Sequence, residues 1–213
     1  MTVQAKQVRR YVDRFEQTHP DVPVYAECMQ RMTYVDLDRI TEAEVTETIE
    51  PFLYEWGGIG RILDGSIGWK GRLAAQIRAV HPNLTAFRLT QLQAFSLIHA
   101  SPEVVRCYES VEESVQSPVV AGKVLHLICP DFFPTWDDRI ERAVVAELCD
   151  RSGDSSIDTF SVFTYYSFMQ AIHDLLVHHD HVLSELAKRY GKGKLKITDE
   201  ALCASPKPRA LLF

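Results

Sequence analysis

Apolar positions recur every three or four residues along most of the chain, and that period predicts helices. Val3, Val8, Tyr11, Val12 and Phe15 make one stripe over residues 3–17, which His19-Pro20 is expected to end. A short segment follows around 25–32. Thr41 with Glu44 three residues on is a capping-box pair. It opens a helix through Val45 and Ile49 toward Phe52, Leu53 and Trp56, in which Pro51 predicts a break or kink. Residues 72–80 form another helix, closed by His81-Pro82, and residues 84–99 the next. Ser101-Pro102 and Ser117-Pro118 each read as an N-cap with proline at the first helical position. They start helices over 102–115 and 118–128. Trp136, Ile140, Val144 and Leu148 share a stripe over 135–149, and a polar loop follows at 150–158. A long apolar helix is expected over 159–178 and a short one over 181–190. Only Leu195–Thr198 has the look of a strand. The tail from Ser205 is expected to run extended, packed down by Leu211, Leu212 and Phe213.

These patterns predict an all-α fold, a multi-helix orthogonal bundle with helix in more than about 55% of its residues. Residues 1–213 are read as a single helical domain, with a subdivision near 117 setting apart a hairpin-containing part, 117–180. A chain of 213 residues that is 46% hydrophobic and 24% charged is long and apolar enough to bury a core. The same composition excludes disordered and collagen-like classes. No run approaches the roughly 18 apolar residues of a bilayer span, so no membrane association is expected. The N-terminal stretch is charged, so no signal peptide is expected. The five cysteines, at 28, 107, 129, 149 and 203, form no CxxC pair. They are expected to be reduced and packed like small apolar side chains, in a cytoplasmic protein. No metal and no cofactor is expected.

Charge is unevenly spread. The net charge is −6, yet residues 57–88 carry Arg61, Lys70, Arg72, Arg78 and Arg88 against Asp64 alone. Residues 188–196 carry five bases and no acid. The first basic segment overlaps WGGIGRILDGSIGWKGR, residues 56–72, where six of the ten glycines lie. Arg61, Lys70 and Arg72 are candidates to hold phosphate there, with Trp69 to stack on a base. The alternative is a pair of tight turns with solvated bases.

The second stretch is AGKVLHLICPDFFPTWDDRI, residues 121–140. It reads as helix, sharp turn, helix, with Thr135 as the expected cap of the second helix and Asp138 at its third position. Lys123 offers an amine that desolvation would activate, and Asp137 stands where a helix dipole favours a carboxylate. The plain alternatives are a surface lysine, a helix-capping aspartate, a core Trp136 and a satisfied interior His126.

K-V-L-H-x-x-x-P-x-x-F-P-x-W-D, residues 123–137, resembles the signature of an uncharacterised bacterial family. That family is distantly similar to the helix-hairpin-helix DNA glycosylases of the 8-oxoguanine glycosylase type. WGGIGR, residues 56–61, is similar to a stretch of the same bacterial family. The resemblance spans about 85 residues, 56–140, of which 121–140 is the specific part. It implies double-stranded DNA as partner and a base flipped from the duplex as substrate. It implies Lys123 as the amine that attacks the sugar C1′ and Asp137 as the catalytic aspartate. Gly122, in Ala121-Gly122, holds the place of hairpin glycines whose backbone contacts DNA phosphate. A non-catalytic nucleic-acid or partner-binding module on the same fold is the alternative. HDLLVHHDH, residues 173–181, is weakly similar to the HD-type metal phosphohydrolases. It places Asp174 and His178 four apart, with His126 and Asp199 as distant candidates.

Overall fold

The computed structural model describes residues 3–19, 23–97, 102–153 and 161–213. Helix accounts for 77% of the described residues and no strand occurs among them, as the apolar period requires. In chain order the α-helices are α1 (Val3–Thr18), α2 (Pro23–Thr33), α3 (Glu42–Glu44), α4 (Trp69–Arg88), α5 (Pro102–Val115) and α6 (Pro118–Ile128). They continue with α7 (Asp138–Ser152), α8 (Val162–His178), α9 (Asp180–Tyr190), α10 (Lys194–Ala204) and α11 (Arg209–Leu212).

The chain divides into two compact units. One comprises Met1–Pro20, Leu92–Phe95 and Pro134–Phe213, the other Asp21–Gln91 and Ser96–Phe133. The chain passes between the units after Pro20, Gln91, Phe95 and Phe133, and the last of these crossings lies inside the hairpin stretch.

In the first unit, α1 turns Ala5, Val8 and Val12 inward and packs on α9 and α10. Trp136 is 1% exposed and rests edge-on against Tyr165 at 5.1 Å and stacked on Phe168 at 6.1 Å. Residues 195–198, which resemble a strand in sequence, lie in α10. That helix is buried on nearly every side, through Leu195, Ile197, Ala201 and Leu202 among others, so it lacks a one-sided apolar stripe. The tail turns into α11 instead of running extended, but its Leu211 and Leu212 are buried as expected. Gln4 Nε2 donates to the Leu211 carbonyl at 2.7 Å and holds the tail there.

A charged cluster lies between α1 and α10. Lys192 Nζ donates to Glu16 at 2.5 Å and to Glu200 at 3.0 Å. Lys196 donates to Asp199 at 3.0 Å, and the Thr135 hydroxyl donates to Asp199 as well. Glu200 is 1% exposed, and its Oε2 has no hydrogen-bond partner among the described residues. Burial pushes its carboxyl up to about 7, against the pull of Lys196 and Lys192.

In the second unit the capping box at Thr41 and Glu44 forms as read, closing with both reciprocal bonds. Pro51 does not break the helix that follows. The backbone widens on either side of it into five-residue turns, Val45–Ile49 and Phe52–Trp56. Widening gives the ring room that an ordinary turn denies it. His81-Pro82 does not end a helix either, because α4 runs through it as one element from Trp69 to Arg88. Pro82 has no N–H for the Arg78 carbonyl, and His81 Nδ1 donates to that oxygen instead, at 2.8 Å. Helix 84–99 is consequently the end of α4 followed by a single turn at Leu92–Ala94. Residues 98–101 lie outside the described residues, and with them the Ser101 cap; so does 154–160, where the polar loop was expected to end and α8 to begin.

Pro82 is exposed, so replacing it removes little packing. Pro82→Ala is expected to raise stability by about 1 kcal/mol, less than the full propensity difference because proline also restricts the unfolded chain. Thermal melts should register this as about 3 °C. A lower melting temperature would show that the kink itself is needed for packing.

Candidate functional site

The two sequence stretches singled out for chemistry meet in the second unit. α6 begins at the Ser117 cap, whose hydroxyl accepts from Val120 N, with Pro118 at the first helical position. Every residue from Val119 to Cys129 is buried except Lys123, which is half-buried. The helix ends in a tight turn where the Phe132 and Phe133 amides both donate to the Cys129 carbonyl at 3.0 Å. Phe132 and Phe133 anchor the turn by packing on Phe87 of α4.

Lys123 and His126 stand one turn apart on α6, and both face Trp56. The Lys123 amine lies 4.8 Å from the centre of the Trp56 ring and donates to the Gly57 carbonyl at 3.2 Å. Gly57 is glycine for a local reason: a Cβ there would stand 2.8 Å from the Leu53 carbonyl oxygen. Trp56 also stacks on Phe52 at 4.6 Å and on His126 at 6.4 Å, and meets Tyr25 at 5.0 Å. The amine therefore borders an aromatic cluster drawn from α2, the wide turn before the glycine-rich stretch, and α6.

His126 is fully buried and uses both ring nitrogens. Nδ1 lies 2.9 Å from the Phe133 carbonyl, and Nε2 lies 3.0 Å from the Tyr25 hydroxyl. A carbonyl only accepts, so Nδ1 carries a hydrogen and donates to Phe133, while Nε2 shares a hydrogen with the Tyr25 hydroxyl. His126 thus closes the hairpin turn and fixes Tyr25 to it, which is the satisfied interior histidine of the plain alternative. Tyr25 carries no sequence signal for this role, being 101 residues away from its partner.

The other predicted contact residues are placed differently. Trp69 is 5% exposed, so its indole belongs to the core and offers no face for a base. Lys70 pairs with Glu50 at 2.7 Å. Arg72 donates to the Ile67 carbonyl at 2.6 Å, the Ser66 hydroxyl at 2.7 Å and the Ser114 carbonyl at 3.3 Å, tying the glycine-rich stretch to α5. Gly122 is buried within α6, not in a loop. Arg61 is exposed.

Asp137 belongs to the first unit and Lys123 to the second. Asp137, and not Thr135, is the N-cap of α7. Its Oδ1 accepts from Arg139 N at 2.9 Å and Ile140 N at 2.8 Å. Thr135 instead turns its hydroxyl to Asp199. The histidine-rich stretch is occupied by local bonds. His173 Nδ1 meets Asp174 at 3.1 Å, and His178 Nδ1 donates to the Asp174 carbonyl at 2.7 Å. His179 Nε2 donates to Gln4 at 3.2 Å, and burial lowers the proton affinity of this histidine. Among the described residues no group of three or more His, Cys, Asp or Glu side chains is placed to hold a metal. Cys28, Cys107 and Cys129 are buried, and burial pushes the Cys107 thiol up to about 12 and that of Cys129 higher still. No helix among the described residues is long and apolar enough to cross a membrane.

Comparison of the chain with protein-family models, with curated proteins and with solved structures returns no match.

Proposed function

We propose that this chain acts on DNA at Lys123, in the manner of the helix-hairpin-helix glycosylases that its 121–137 stretch resembles. The observation that supports the reading is the meeting of both resembling stretches at one amine, Lys123 against Trp56 and Gly57. Neutral Lys123 would add its lone pair to the sugar C1′ of a flipped nucleotide, and the base would depart with the electrons of the glycosidic bond. The base takes up a proton as it leaves. Loss of the remaining amine proton and opening of the sugar ring then give an imine. The resemblance alone assigns Asp137 the task of balancing positive charge that develops on the sugar.

Borohydride reduces such an imine to a stable protein–DNA adduct. Duplexes carrying an abasic site, uracil or 8-oxoguanine should each be offered to the wild type and to Lys123→Gln. An adduct with at least one duplex, lost in Lys123→Gln, is expected. Trapping that survives the substitution, or no trapping with any duplex, would remove the enzymatic reading. Asp137→Asn should slow base release at least a hundredfold if the carboxylate opposes positive charge. It should also cost about 1 kcal/mol of stability through the weakened cap.

A second reading, a non-catalytic nucleic-acid-binding module, draws on the internal engagement of Trp69, Lys70 and Arg72 and on the capping role of Asp137. Duplex binding with no adduct and no released base would select it.

A further inference from the structure

The first unit carries a basic surface that the sequence stretches do not announce. On α1, Lys6, Arg10 and Arg14 follow one another at four-residue steps, and all three are exposed. Four residues advance a helix by about 6 Å, so the three charges form a line along one face. With Arg9, Asp13 and Gln17 they line a shallow groove of about 460 Å³. Among the described residues, none of the three forms an ion pair.

The acids around this line are already engaged. Asp13 pairs with Arg189 at 3.3 Å and accepts from the Tyr190 hydroxyl at 2.7 Å. Glu185 takes Arg9 at 2.6 Å and Arg189 at 3.2 Å, and Glu16 takes Lys192 at 2.5 Å. Lys6, Arg10 and Arg14 therefore keep their charge toward solvent on a chain whose net charge is −6. An amphipathic basic helix can also lie on an anionic membrane, but it does so by inserting its apolar face. Here the centre of that face is spent: Ala5 is 4% exposed, and Val8 and Val12 are 0% exposed, packed inside the unit, while Tyr11 and Phe15 are half-buried. What faces solvent fully is a row of cations with little apolar surface to insert, which suits the regularly spaced phosphates of a nucleic-acid backbone.

We infer that α1 is a phosphate-backbone contact for duplex DNA through Lys6, Arg10 and Arg14. The inference goes beyond the Lys123 chemistry and does not rest on it. The full chain should bind a short undamaged DNA duplex, read by fluorescence anisotropy over a salt series. Three phosphate contacts predict a log–log salt slope of about −2.7. Lys6→Gln/Arg10→Gln/Arg14→Gln should weaken binding at low salt by about tenfold or more and bring the slope toward zero. Arg10→Gln/Arg14→Gln should remove about two thirds of the slope, which keeps the test open should the triple variant fold poorly by circular dichroism. Affinity and slope that persist in folded variants would overturn the inference, as would a wild type that ignores duplex even at low salt. Binding to phosphatidylserine vesicles through these residues, without binding to duplex, would overturn it too. Borohydride trapping is read separately, so α1-dependent binding without an adduct would sink the Lys123 reading and leave this one standing.

Discussion

Arg88→Met is expected to destabilise the protein by about 3–5 kcal/mol, the largest loss from any single substitution considered in this chain. Arg88 closes α4, and its guanidinium reaches three backbone carbonyls: Ile128 at 3.1 Å, Val35 at 3.2 Å and Met32 at 3.1 Å. These oxygens lie at the ends of α6 and α2 and just after α2, where helical N–H donors run out, although that of Met32 also accepts from Val35 N at 3.2 Å. Burial lowers the proton affinity of Arg88, so the charge is held there at a cost that the three bonds offset. Methionine keeps the apolar stem and abandons all three acceptors at once. Arg88→Lys should recover only part of the loss, since one ammonium cannot reproduce the planar fork. Chemical denaturation is the measurement. A loss below about 1 kcal/mol for Arg88→Met would mean that water satisfies those carbonyls and that the guanidinium is not a strut.

The second large effect should appear as a pH dependence. Glu200 titrates in the folded protein near 7, well above the ordinary carboxyl range, because burial disfavours its charge. Between those two values the folded chain holds a proton that the unfolded chain has lost. Unfolding in that window releases a proton, so stability should fall as pH rises and level off above the folded value. Glu200→Gln mimics the protonated side chain. It should match the wild type near pH 5 and exceed it near pH 8, by a margin on the order of 2–3 kcal/mol. A margin that does not grow with pH would show that Lys192 and Lys196 stabilise the carboxylate fully and that its charge carries no penalty.

The helices were legible wherever one face alone is apolar, as in α1 and α5, and wherever a cap is written into adjacent residues, as at Thr41 and Ser117. They were illegible where a side chain or a distant helix substitutes for the rule written in the local pattern. Pro82 reads as a terminator because nothing in the local pattern says that the His81 ring bonds the Arg78 carbonyl. α10 reads as a possible strand because it is buried all round. Its neighbour α1 lies some 180 residues earlier in the chain. The candidate site was legible as two separate stretches, each with its own chemistry. That Trp56 and Lys123 would touch was not, since their meeting depends on how the wide turns around Pro51 aim the indole. Basic residues were misleading as a class. Lys70, Arg72, Arg78 and Arg88 look like one cationic segment, yet Arg78 donates to the Ile40 carbonyl at 2.5 Å and the others are likewise bonded within the unit. The cations that face solvent in a row are on α1, which carries four bases against two acids.

The interleaving of the two units sets an order for synthesis. Every residue of the unit that holds Lys123 has been polymerised once Phe133 is joined, so that unit can close while the ribosome is still making the remainder. α1 is translated before the other described helices, but the surface on which it packs is supplied by α9 and α10, which lie far later in the chain. Until α9 and α10 are made, α1 is a basic, amphipathic segment with its apolar side bare. Pausing late in the message, before the codons of α10, should prolong that exposure, whereas an early pause should not.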